Sequence, residues 1–144
     1  MGTHERSVSL LKFAAILLEV FGLVTVLCLI PALSGILDLF LKLALLDGGA
    51  AAPFASAEAR LLTAVCGGVS FGFGAAIWMI TTRVYATDPE TGGPLLIVPA
   101  VAWFVVDGLG SMLAGAAFNV VLNAAILALI LVPVLAARQG RAPA

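Results

Sequence analysis

Four runs of about twenty apolar residues, broken only by short polar stretches, occupy most of this chain between Leu10 and Ala136. No other feature constrains its folding as much. In lipid, a segment of that kind must satisfy its backbone amides and carbonyls internally, which means it must be helical. With 62% hydrophobic and 10% charged residues, the composition is far from the roughly 25% charged residues of a soluble domain. Mean hydropathy is +1.19. The expected fold is all-α: an integral membrane four-helix transmembrane bundle with spans at about 10–33, 60–82, 95–113 and 119–136, plus one interfacial amphipathic helix at about 34–47. A single transmembrane domain covering 1–144 is expected, since the spans leave no room for a soluble one.

A straight helix from Leu10 to Leu46 would exceed about 50 Å at 1.5 Å per residue, against a hydrocarbon core of about 30 Å, so a bend is predicted at Pro31. Beyond it Ser34, Asp38 and Lys42 recur every four residues as a polar stripe on an otherwise apolar helix, for which Gly48 and Gly49 supply a stop. Ala50 to Ala57 then reads as a connector, with Ser56 capping the second span. That span carries AVCGGVSFGFGAA, in which Ala64, Gly68, Gly72 and Ala76 lie at four-residue spacing. Gly68 and Gly72 are expected to mark a close helix contact. The stretch TDPETGGP, from Thr87 to Pro94, reads as a polar turn and lacks the Lys and Ser/Thr of a phosphate loop. Arg6, Lys12, Arg83, Arg138 and Arg141 fall on one side and Lys42 and Arg60 on the other, which predicts cytoplasmic termini.

Candidate chemistry is confined to polar residues inside the spans. Asp107 precedes a tight turn at Gly115 to Ala117, and Asn123 follows it, at roughly 12 and 9 Å below that turn. A carboxyl group in hydrocarbon costs at least about 2.5 kcal/mol, so Asp107 must face protein, with Asn123 and Ser111 as its nearest partners. Glu19 shares a helix face with Ala15, Gly22 and Val26 and is expected to point into the bundle. The candidate intramembrane polar site is therefore Glu19, Asp107, Ser111 and Asn123. His4, the single histidine, lies in the N-terminal tail, so no histidine-based metal site or catalytic triad is expected, and no cofactor. Cys28 and Cys66 lack a CxxC spacing and read as buried small hydrophobes, with a redox pair as the lesser alternative.

The segments RLLTAVCGGVSFGFGAAIW, Arg60 to Trp78, and WFVVDGLGSMLAGAAFNVVLN, Trp103 to Asn123, resemble a group of small bacterial four-helix inner-membrane proteins. A looser likeness to DoxX-type proteins rests on size and span count. The resemblance implies four spans and a bacterial inner-membrane location, and it brings no activity with it. The expected role is that of a non-enzymatic accessory or assembly component, with the bilayer, another membrane protein or a second copy as partner. Near-neutral charge gives no case for nucleic acid. The alternative is a transporter-like or proton- or cation-conducting module that uses the intramembrane carboxyl groups.

Overall fold

The computed structural model describes residues 2–46 and 56–140, and the described residues form helices and turns. In chain order the helices are α1 (Thr3–Leu27), α2 (Ser34–Leu45), α3 (Ala57–Ile80), α4 (Pro89–Leu113) and α5 (Ala117–Gln139). All but α2 are long and apolar enough to cross a membrane. The shortest of the four, α5, has 23 residues, about 35 Å at 1.5 Å per residue, which exceeds a hydrocarbon core of about 30 Å.

Helix boundaries depart from the apolar runs where local chemistry overrides hydropathy. Helix α1 begins at Thr3 because the Glu5 carboxylate accepts from the Gly2 amide at 3.0 Å, which extends the helix into polar sequence before Leu10. It ends at Leu27, short of Leu33. Pro31 forces Ile30 into an extended conformation (φ −78°, ψ 122°) and opens a single 3-10 turn, Pro31–Leu33, so the expected bend is a complete break. Helix α2 carries the Asp38–Lys42 pair at 2.9 Å. It stops at Leu46, which takes a left-handed φ of 52°. Gly48, Gly49 and the connector from Ala50 through Ala55 lie outside the described residues. Ser56 caps α3 as its sequence predicts, accepting from the Ala59 amide at 3.1 Å.

The stretch from Thr87 to Pro94 is mostly helix rather than turn. Asp88 is the N-cap of α4, Pro89 is its first residue, and Gly92, Gly93 and Pro94 lie in its opening turns. A Cβ on Gly92 would sit 2.5 Å from the Tyr85 Cα. That contact lets α4 leave α3 through one π-helical turn, Thr81–Tyr85, closed by the Ala86 amide on the Thr81 carbonyl. The hydroxyl and backbone amide of Thr91 hold the Asp88 carboxyl below the usual carboxylate range. A group with a depressed folded value adds stability that is fully present above its unfolded pKa of about 3.9 and is lost as pH falls through the folded value. The Thr91 amide should therefore exchange faster with solvent only below that window, and Asp88→Ala should abolish the pH step.

Because lipid is as apolar as the side chains, helix association in a membrane rests on close packing rather than on hydrophobic burial. Helices α1 and α3 make the most extensive contact. A Cβ on Gly22 would lie 2.5 Å from the Gly67 carbonyl and 2.5 Å from the Phe71 amide, and one on Gly74 would lie 2.7 Å from the Ala15 carbonyl. These backbones touch. Gly68 and Gly72 face outward, and a Cβ at either meets nothing within 4 Å. Within the chain, the close contact expected at Gly68 and Gly72 is made by Gly67 and Gly74 instead. The physical reason is phase: at about 100° per residue Gly67, Phe71 and Gly74 share the face on which α1 packs, while Gly68 and Gly72 lie about 100° and 140° around the helix from Gly67.

The helices form an arc in the order α3, α1, α5, α4, with α2 against α5 and sparse contact between α3 and α4 beyond the π turn. At the end where α1 begins and α5 finishes the arc is tightly closed by Leu11, Leu18, Ile77, Tyr85, Leu96 and Val134. There Ser7 donates to the Pro133 carbonyl at 2.8 Å. That carbonyl only accepts, so the Tyr85 hydroxyl donates to Ser7, also at 2.8 Å. At the opposite end α3 and α4 stand apart.

Candidate functional site

The α4–α5 hairpin is built on a Schellman turn. The Ala116 amide bonds the Ser111 carbonyl at 2.8 Å and the Gly115 amide bonds the Met112 carbonyl at 3.1 Å, with Gly115 at φ +75°. Six residues separate Asp107 from the last residue of α4, and six separate Asn123 from the first of α5. The two side chains therefore meet at one depth, about 9 Å below the turn. Ser111 lies one turn from Asp107 on α4, and Asn119 one turn from Asn123 on α5, so two i,i+4 pairs face each other across the seam.

Three donors converge on one carboxyl oxygen. Asn123 Nδ2 donates to Asp107 Oδ2, Asn119 Nδ2 donates to it at 3.4 Å, and Ser111 Oγ donates to it at 3.4 Å. Asn119 also donates to Ser111 Oγ at 2.9 Å. Ser111 and Asn123 are each 8% exposed, while Asp107 and Asn119 are half-buried. The other oxygen, Asp107 Oδ1, has no hydrogen bond among the described residues and is not a sealed atom. Asp107 lines a cavity of about 540 Å³ together with Phe21 of α1, Phe40 of α2, Cys66 and Ser70 of α3, Trp103 of α4, and Asn119 and Asn123 of α5. Its mouth lies between α3 and α4, where Val69 and Val106 are 65% and 72% exposed.

Three of the four sequence-derived site residues, Asp107, Ser111 and Asn123, are thus brought together, and Asn119 joins them. Asn119 reads in sequence only as the start of the last span, although its i,i+4 relation to Asn123 is the signal that would have found it. Glu19 stands apart. It lies on the α1–α3 seam, where a Cβ on Gly74 would approach its Cγ to 2.9 Å, and it is not among the cavity's lining residues. Cys28 is buried and Cys66 faces the cavity, and both are free thiols. Among the described residues no three His, Cys, Asp or Glu side chains group as a metal site. Comparison with known protein families, curated proteins and solved structures finds no match.

Proposed function

We propose that this chain is a non-enzymatic accessory protein of the bacterial inner membrane that binds a membrane-resident guest at the Asp107 cluster. Four helices cross the bilayer, α2 lies at its outer interface, and both termini are cytoplasmic. The observation that carries the reading is the placement of Asp107. One oxygen of its carboxyl group is satisfied by its own chain, the other has no donor among the described residues, and Asp107 lines a cavity whose wall residues Val69 and Val106 are exposed. Intramembrane ionisable groups in such positions mark ligand or ion sites. The alternative, conduction, requires polar groups that continue across the bundle. Toward the termini the cluster is followed by the packed apolar layer of Leu18, Ile77, Ala100 and Ile130, and Glu19 belongs to another seam. This favours binding over passage.

Mass spectrometry of protein purified in mild detergent tests the proposal. The wild type should retain a guest that Ala102→Phe, which fills the cavity wall, and Asp107→Leu both lose. Proteoliposomes should show no proton flux. Identical retention in all three proteins would overturn the binding reading, and a flux abolished by Asp107→Asn would establish conduction in its place. Orientation has its own test. A cysteine in place of Leu113, which is 91% exposed at the α4–α5 turn, should react with an impermeant maleimide from the periplasmic side only. Labelling from the cytoplasmic side alone would invert the topology.

A further inference from the structure

The lining of the cavity specifies more than a generic guest. Its polar end consists of one carboxyl oxygen without a donor, beside the amide groups of Asn119 and Asn123. No Lys, Arg or His lines it. The one ion pair among the described residues is Asp38 with Lys42, so Asp107 has no cation of its own. Apart from the Cys66 thiol and the Ser70 hydroxyl, which donates to the Cys66 carbonyl at 2.8 Å, the cavity's remaining walls are apolar, with three aromatic rings. Phe21 and Phe40 meet edge to face at 5.3 Å. Trp103, one turn before Asp107 on the same face of α4, packs at 5.7 Å against Phe73 of α3. A carboxyl oxygen that can accept and aromatic faces of negative potential both select a cation carrying N–H donors.

From these features, and resting on the binding role argued above, we propose that the cavity takes a primary ammonium group attached to an apolar tail. The ammonium sits between Asp107 Oδ1 and the Trp103 ring, and the tail leaves between Val69 and Val106 into the bilayer. A volume of about 540 Å³ falls within the range of roughly 300–1,000 Å³ typical of small-molecule sites. It holds a head group and the start of a chain, and the lateral mouth removes any need to enclose the rest. An anionic head would meet the Asp107 carboxyl with nothing to offset it. A neutral alcohol would make one hydrogen bond and no cation–π contact.

The test uses the full chain in phosphatidylcholine nanodiscs with Trp78→Phe, which leaves Trp103 as the only tryptophan and reporter. Dodecylamine should produce a saturable change in Trp103 fluorescence. Dodecanol and dodecyltrimethylammonium, which lack the charge or the N–H donors, should bind at least about tenfold more weakly. Asp107→Asn should weaken dodecylamine by a similar factor and leave dodecanol unchanged. Ala102→Phe, which leaves the Asp107 hydrogen bonds in place, should remove the response altogether and serves as the second variant should Asp107→Asn fold poorly. Replacing part of the phosphatidylcholine by phosphatidylethanolamine separates two sources of the same chemistry: competition with dodecylamine identifies a lipid head group, and its absence identifies a single-chain amine.

Equal binding of dodecanol and dodecylamine, abolished by Ala102→Phe, would overturn the ammonium assignment and leave the guest-binding role standing. A response indifferent to Ala102→Phe would overturn both.

Discussion

Replacing Gly22 with alanine should destabilise the bundle by about 3 kcal/mol, and replacing it with leucine should prevent the α1–α3 pair from forming. A methyl group at this position would lie 2.5 Å from the Gly67 carbonyl oxygen and from the Phe71 amide nitrogen, and 2.9 Å from the Phe71 Cα. All three are backbone atoms, so no side chain can turn aside and the helices must separate. Separation forfeits packing along the most extensive interface in the molecule, in a solvent that offers no hydrophobic compensation. Gly68→Leu and Gly72→Leu are the internal controls. Both positions are open, so each variant should unfold within about 0.5 kcal/mol of wild type. Denaturant titration in mixed micelles followed by circular dichroism would measure all four. Equal losses at Gly22 and Gly72 would contradict the assignment of the seam.

Asp107→Leu should cost about 2 kcal/mol. It strands the donors of Asn119, Asn123 and Ser111, and interhelical hydrogen bonds in membrane proteins average about 0.6 kcal/mol each. Asp107→Asn should cost less than about 1 kcal/mol, because its amide oxygen can replace Oδ2 as the shared acceptor. The ranking wild type, Asn, Leu is therefore expected for stability, while guest binding should fall in both variants. A double-mutant cycle between Asp107→Leu and Asn123→Leu isolates the pair. Coupling should be positive and near the size of one such bond, and strict additivity would mean that the two side chains do not meet.

The four long helices were legible because an apolar run of span length has few folded solutions. Their ends were not, since capping by Glu5 and Asp88 carries helix into polar sequence that hydropathy reads as tail or turn. Asp107 and Asn123 could be paired from sequence because a tight turn fixes the relative depth of the two helices it joins. Asn119 was missed because a polar residue near a helix start has a sufficient local explanation. Small-residue spacing announced close packing in α3 but not which stripe made it. Gly67 and Gly74 are distinguished from Gly68 and Gly72 only by the placement of α1. Periodicity likewise set the face of Glu19 without showing that its neighbour is Gly74 rather than Asp107. The cavity depends on α3 and α4 diverging beyond the π turn, and no local pattern encodes that.

The two native thiols offer the most direct test of the central claim, that the Asp107 cluster faces an accessible cavity within the helical bundle. Cys66 lines that cavity, whereas Cys28 is fully buried. N-Ethylmaleimide labelling of the reconstituted protein, resolved by peptide mass spectrometry, should modify Cys66 while leaving Cys28 untouched. Ala102→Phe should slow the Cys66 reaction severalfold without altering Cys28. Labelling of Cys66 that is absent, or unchanged when the cavity is filled, would contradict the account.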